Sequence, residues 1–255
     1  MTRTADIIVI GGGMAGASAA AEIAGAGATV LLLEMESQPG YHATGRSAAM
    51  YEPVDASAVV SGLTRASGDF LRSPPADFAQ ASLLSPRGVL MMGYPGDEAL
   101  ISAAKAAGFD EVDAAFARAR LPIVKTDGAI AVLWDGLAQD IDVDALHTGR
   151  LRALRRAGGT VLVDAAVQGA RRVDGAWRVE TRVGDCVAPV IVLAAGAWSD
   201  LVARSCGVRP VGLQPKRRSA AILAGDPARR CQLLLQADGG KAHALAGGEG
   251  SDGAA

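Results

Sequence analysis

Asp6-Ile7-Ile8-Val9-Ile10-Gly11-Gly12-Gly13-Met14-Ala15-Gly16 and, one small-residue stretch later, Ala28-Thr29-Val30-Leu31-Leu32-Leu33-Glu34 decide the fold. The order is strand, glycine turn, helix, strand, acid, the dinucleotide fingerprint in the context it requires. Gly11 permits the tight turn that leaves the first strand. Gly13 has no Cβ, so a pyrophosphate can approach the helix N-terminus, where free N–H groups and the helix dipole favour anions. Gly16, with Ala20 one turn further on, lets helix and sheet pack closely. Glu34, 18 residues beyond Gly16, can take both ribose hydroxyls as a hydrogen-bonded carboxylate. A glycine pattern alone carries little weight in a chain with 32 glycines. Both strands and the acid in register carry the reading, which predicts residues 28–33 beside residues 6–10 in one parallel sheet.

Working outward, the helix after the turn is mostly alanine from Ala17 to Gly27, which suits close packing on a parallel sheet. The pattern then breaks into a loop from Met35 to Tyr51. A helix is expected over 57–71, ending before Pro74-Pro75. A strand follows at Val89-Leu90-Met91-Met92, a helix from Asp97 to Ala107 closed by Gly108, and a strand from Ala129 to Trp134. Asp142 opens a helix that stops at Gly158-Gly159, and the strand Thr160-Val161-Leu162-Val163 comes at once. Val167 and the alternating Ala176–Thr181 fit a meander turning at Asp174-Gly175. Pro189 to Gly196 reads as another buried strand ending in a glycine turn.

The fold class is therefore α/β, a Rossmann-like dinucleotide-binding domain with an interleaved, incomplete α+β domain. The first is expected to be discontinuous, 1–55, 142–169 and 186–207, with 170–185 the small meander. The second takes 56–141 and 208–236. From Ala237 to Ala255, 19 residues include six glycines and six alanines and no aromatic or β-branched side chain. Such a segment cannot bury enough apolar area to offset its ordering entropy, so a disordered tail is expected.

Composition narrows the partners. A net charge of −2 gives no general case for nucleic acid or an anionic membrane surface. No run reaches 18 uninterrupted apolar residues, so no integral membrane segment is expected. The N-terminus begins a strand within a few residues, leaving no room for a signal peptide. Cys186, Cys206 and Cys231 are widely spaced, with no metal-ligand grouping, which fits reduced thiols in the cytoplasm and no metal.

Four segments carry a family likeness: Gly11-Gly12-Gly13-Met14-Ala15-Gly16-Ala17-Ser18, Gly40-Tyr41-His42-Ala43-Thr44-Gly45-Arg46-Ser47-Ala48-Ala49, Leu193-Ala194-Ala195-Gly196-Ala197-Trp198-Ser199-Asp200, and Leu213-Gln214-Pro215-Lys216-Arg217-Arg218-Ser219. In this order and spacing the chain resembles the FAD-dependent D-amino-acid oxidase and dehydrogenase superfamily, nearest to bacterial D-arginine dehydrogenase-like proteins. The preference for FAD over NAD rests on the later segments, not on the glycine motif.

The resemblance implies noncovalent FAD, hydride transfer from an amino acid's α-carbon to flavin N5, and hydrolysis of the imino acid to a keto acid and ammonia. Electrons would pass on to a quinone or other acceptor. It assigns Gly11, Gly13, Gly16 and Glu34 to the ADP half of FAD. Thr44, Gly45, Arg46, Ser47 and Ala48 would lie along pyrophosphate and isoalloxazine, with backbone donors and the Arg46 charge, although a surface ion pair would also explain Arg46. Val167 would contact adenine, and Gly196 follows the strand beneath the cofactor. His42 would sit near the amino-acid substrate. Arg217 is favoured over Arg218 to hold the substrate carboxylate; on a strand the two point to opposite faces and cannot share that role. A solvated basic edge is the structural alternative.

Two departures qualify the likeness. After Ile222-Leu223-Ala224 it fades, and the stretch with which relatives complete the substrate domain and return to the flavin is absent, so a C-terminally truncated chain is expected. A catalytically inactive nucleotide-binding fragment is then the alternative to an enzyme, and a glycine or sarcosine oxidase-like activity is the neighbouring one. After Leu84-Ser85-Pro86-Arg87 the chain has Gly88-Val89-Leu90, where arginine-using relatives have an acid. Burying an unpaired guanidinium is costly, which points to neutral, apolar D-amino acids.

Overall fold

The computed structural model describes residues 2–53, 57–122, 124–216, 234–238 and 241–245, the last two stretches as backbone. The chain divides into two compact units: 1–47, 76–80 and 143–220 form the first, and 48–75, 81–142 and 221–255 the second.

The first unit has three layers. Its middle layer is a four-stranded parallel sheet in the order Thr160–Leu162, Val30–Leu33, Ile7–Ile10, Val190–Leu193. Ile7 pairs with Val30 and Ile10 with Leu33, the adjacency that the apolar runs predict. Because strand side chains alternate in direction, an uninterrupted apolar strand must be covered on both faces. One face, Val9, Val30 and Leu32, packs on the helices Met14–Gly25 and Val143–Arg156 through Ala17, Ala20, Ala21, Ala24, Leu151 and Leu154. The other, Ile8, Ile10, Leu31 and Leu33, meets Ala165, Val179, Cys186 and Ala188. Those residues belong to or adjoin a second sheet, Arg3–Thr4, Cys186–Ala188, Ala176–Thr181 and Val167–Val173, which is antiparallel apart from its first pair. Full burial of each Ile or Leu in such a core contributes roughly 1.5–3 kcal/mol.

The alanine-rich helix face sets the interlayer spacing. A Cβ on Gly16 would stand 1.8 Å from the Gly11 carbonyl oxygen, so glycine alone lets the helix start this close to the turn.

The second unit holds two three-stranded sheets, Met50–Tyr51, Gln139–Ile141, Leu84–Pro86, and Val89–Gly93, Ala131–Asp135, Asp110–Glu111. Helices Ala58–Arg72, Glu98–Ala107 and Ala114–Arg120 accompany them. Leu90, Ala117, Leu121, Val124 and Val132 form one core, and Ile101, Ala104, Ala131 and Leu133 another. Arg87, 4% exposed, is paired with Asp140.

Several boundaries differ from those expected, each for a physical reason. Residues 76–80 lie with the first unit because the Phe78 ring covers Gly149, while Arg152 and Arg156 donate to the Phe78 and Asp77 carbonyls. Residues 208–216 also lie there. The buried Asp200 carboxylate accepts from the backbone N–H groups of Val211, Gly212 and Leu213 and ties that segment down. Residues 48–53, by contrast, go with the second unit, where Met50 and Tyr51 pair with Asp140 and Gln139. The meander at 170–185 is part of the first unit's outer layer. Where a disordered tail was expected from Ala237, Leu234–Asp238 and Lys241–Leu245 form an antiparallel hairpin, Leu234 opposite Leu245. The pairing is one of backbone groups, which every residue carries and which composition does not reveal. The remaining tail positions, 239–240 and 246–255, lie outside the described residues.

Candidate functional site

The site belongs wholly to the first unit. At the carboxyl ends of the parallel strands, where ligands bind in open α/β sheets, lies a cavity of about 470 Å³. Its wall runs from Ile10–Ala15 through Leu33–Met35 and Gly40–Thr44 to Ala165–Val167, Ala194–Trp198 and part of the following helix. The volume falls within the range typical of small-molecule sites.

The glycine turn forms one end. Gly11 sits at φ +110°, and a Cβ there would lie 2.4 Å from the Ala194 oxygen. Gly13 is the N-cap of the helix Met14–Gly25 and supplies no side chain to cap it. An α-helix leaves its first N–H groups without intrahelical acceptors, so this end is a ready anion site. Thr44 takes one of these donors, its Oγ1 accepting from Met14 N at 2.9 Å.

Glu34 closes the strand Val30–Leu33. It is 7% exposed, with Oε2 accepting from Gly12 N and Oε1 from Glu36 N, each at 2.9 Å. Two backbone donors hold the carboxylate in place, and each oxygen keeps a second lone pair for an outside hydroxyl. Gly12 must be glycine for this, since a Cβ would stand 2.8 Å from Oε2. Opposite lie the small apolar Ala165, Ala166 and Val167, pinned beside the acid by Ala165 N to Glu34 O and Asp164 N to Glu36 O.

The Gly40–Ser47 turn supplies His42. Its Nε2 lies 2.8 Å from Glu36 Oε1; a carboxylate only accepts, so Nε2 carries the proton. The ring is 4.5 Å from that of Trp198, centroid to centroid, and edge-on to Tyr41 at 5.1 Å.

Of the residues expected at the site, Gly11, Gly13, Glu34, His42, Thr44, Val167 and Gly196 are in the cavity wall. Gly16 is not; it sits behind the turn, against the Gly11 carbonyl. Gly45 closes its own turn, N–H to Gly40 O at 2.7 Å. Arg46 is exposed, with its guanidinium 4.8 Å above the Tyr41 ring. Ser47 is exposed, and Ala48 belongs to the second unit. Arg217 lies outside the described residues, as does Cys231.

Glu36, Trp198 and His147 belong to this neighbourhood and were not anticipated. Trp198 sits in a quoted motif, but Glu36 looks like any loop acid and His147 like any helix residue. Burial pushes the thiols of Cys186 and Cys206 up, away from reactive thiolate. No group of His, Cys, Asp and Glu among the described residues forms a metal site.

The family model described as DAO, FAD dependent oxidoreductase, matches residues 6–245. The chain belongs to this family. FAD is its cofactor, and the cavity fits the ADP half of that molecule: a helix start whose N-cap glycine brings no side chain for pyrophosphate, a fixed carboxylate for ribose, and a small apolar wall for adenine. The fold is also that of solved oxidases and a solved dehydrogenase. Glycine oxidase from Geobacillus kaustophilus matches at TM-score 0.69 and 20% identity, over 80% of this chain and 59% of that one. L-proline dehydrogenase from P. horikoshii gives 0.68 and 20%, over 82% and 57%. L-α-glycerophosphate oxidase from Mycoplasma pneumoniae, solved with FAD bound, gives 0.68 and 15%, over 80% and 57%. The chain thus spans under three fifths of the length of each. No helix among the described residues is long and apolar enough to cross a membrane.

Proposed function

We propose that this chain is the flavin-binding part of an amino-acid oxidoreductase that acts on the α-carbon–amine bond of neutral D-amino acids. The observation that carries the reading is the joining, in one cavity wall, of a dinucleotide cradle with a carboxylate-oriented histidine, His42 on Glu36. When bound, FAD supplies the hydride acceptor and passes electrons on to a quinone or another acceptor; the imino product hydrolyses to keto acid and ammonia.

The residues do the positioning. Gly11, Gly13 and the start of the helix bind the pyrophosphate, Glu34 the ribose, and Val167 the adenine edge. Gly196, at φ +52°, makes the turn that follows the strand Val190–Leu193. Thr44 ties the Gly40–Ser47 turn to that helix, with Gly45, Arg46, Ser47 and Ala48 continuing toward the flavin. With Nε2 committed to Glu36, His42 offers Nδ1 as acceptor to a substrate amine N–H. A substrate amine that binds neutral then needs no separate general base. Arg217 is the proposed partner of the substrate carboxylate.

A neutral side chain is favoured by the resemblance, in which arginine-using relatives carry an acid where this chain has Gly88. At φ +77°, a Cβ there would stand 1.8 Å from the Trp134 ring, so no acid can occupy the position, and the adjoining Arg87 cation is paired with Asp140. The cytoplasm is the proposed compartment, on the free, buried thiol of Cys186.

Anaerobic mixing of FAD-loaded protein with matched D- and L-amino acids, glycine and sarcosine tests this. Bleaching of the flavin band by apolar D-amino acids supports the reading. Bleaching by L-enantiomers alone overturns the stereochemistry, by glycine or sarcosine alone the substrate class. An unbleached band across the panel leaves a nucleotide-binding fragment without turnover.

A further inference from the structure

His147 is a buried side chain near the cavity that the reading above leaves without a task. It lies on the helix Val143–Arg156, is 6% exposed, and its Nε2 stands 2.8 Å from the carbonyl oxygen of Gly12, 135 residues away in sequence. A carbonyl only accepts, so Nε2–H is the donor. The same ring packs on Gly40. A Cβ on that glycine would fall 2.8 Å from Cε1 and 3.0 Å from Nδ1 of the imidazole.

One ring therefore lies against two glycine turns: Gly11–Gly13 at the helix start, and the turn opened by Gly40, which carries His42 and Thr44. Gly40 sits at φ +81°, a conformation costly for other residues, and its missing Cβ is the space the ring fills. The first turn uses its Gly12 N–H on Glu34 and its Gly12 carbonyl on His147, so the peptide units on either side of the Gly12 Cα are both held. A turn whose backbone donors must meet a pyrophosphate gains affinity when it is held in the binding conformation beforehand.

We infer that His147 is a positioning residue for the cofactor site, holding the phosphate turn and the His42-bearing turn in fixed register through one buried hydrogen bond and one packing contact of the ring. It touches neither cofactor nor substrate in this role. The inference rests on the FAD reading of the cavity for its effect on affinity, but the effect on the two turns is independent of any ligand.

The test uses the full chain with His147→Ala, His147→Phe and His147→Gln. FAD affinity is measured by flavin fluorescence, unfolding of the apo chain by circular dichroism, and backbone amide exchange of the apo chain by mass spectrometry. His147→Ala should weaken FAD at least about tenfold and speed exchange in peptides covering Gly11–Ala15 and Gly40–Gly45, leaving the strand Val30–Leu33 protected. His147→Phe, which keeps a ring without the donor, should remain weak, and His147→Gln, which restores an N–H donor, should recover most of the affinity. Wild-type affinity and unchanged exchange in folded His147→Ala and His147→Phe would overturn the inference and leave His147 a core residue. Faster exchange spread evenly over the chain would overturn it too. Local exchange effects in a wild type that binds no FAD would sustain His147 as a positioning residue while removing the FAD reading.

Discussion

Two glycine turns face the same cavity, and they are held in opposite ways. Gly11–Gly13 is framed directly by the strand that enters it and the helix that leaves it, with Gly11 N–H bonded to Leu33 O at 2.8 Å and with Glu34 and His147 on the two sides of Gly12 as added supports. Gly40–Ser47 is a long irregular turn with a bond of its own from Gly45 N to Gly40 O. Beyond that it relies on side-chain partners: Thr44 on Met14 N, His42 on Glu36, Gly40 against His147. The difference is between a conformation set first by the strand and helix that flank it, then reinforced by tertiary contacts, and one that rests on tertiary contacts almost throughout. The first should fail wholesale when perturbed, and the second one support at a time.

Gly16→Ala should break the first turn outright. The new methyl has no place 1.8 Å from a backbone oxygen, so the helix must shift off the sheet. A loss of about 3 kcal/mol or more is expected, seen as a large fall in Tm together with loss of FAD binding. Gly40→Ala perturbs the second turn through both φ and the His147 ring, and should cost about 1–3 kcal/mol. Gly27→Ala is its control, at φ +97° with nothing within 4 Å of the new Cβ. If the two cost the same, the His147 contact contributes nothing.

Thr44→Val removes one acceptor from the helix start and should cost about 1 kcal/mol, as capping losses do, with Thr44→Ser close to wild type; thermal unfolding reads both. The smallest effect lies outside both turns. Asp6 accepts from Thr29 N–H at 2.8 Å and Thr29 Oγ1–H at 2.6 Å, clasping the starts of two neighbouring strands. These hydrogen bonds, the side-chain one first, hold its carboxyl below the ordinary value of 3.8. A depressed folded pKa contributes stability above the unfolded value that is lost as pH falls through the folded one. Wild type should therefore lose a small increment of Tm below pH 3.8 that Asp6→Asn does not.

The same contrast explains what the sequence made legible. The parallel sheet, the adjacency of its two central strands and the Gly11–Glu34 unit follow from apolar runs and glycine spacing, which are local signals. Glu36 and His147 were invisible because each acquires its meaning only from a partner: Glu36 from His42, and His147 from Gly12, 135 residues away. Residues 76–80 escaped for the same reason, since a Phe78 ring on Gly149 leaves no trace in either segment's composition. The short strands Leu84–Pro86 and Gln139–Ile141 have too few residues to show alternation.

The central claim is that this cavity recognises a flavin through its ADP half, with the helix start and Glu34 as the grip. The most direct measurement is titration of the apo protein with FAD, FMN and NAD under one set of conditions, in wild type and Glu34→Ala. FAD should bind at least about 100-fold tighter than FMN, which has no ADP half, and Glu34→Ala should remove most of that margin. Equal affinity for FAD and FMN, or binding of NAD in preference to either, would contradict the account.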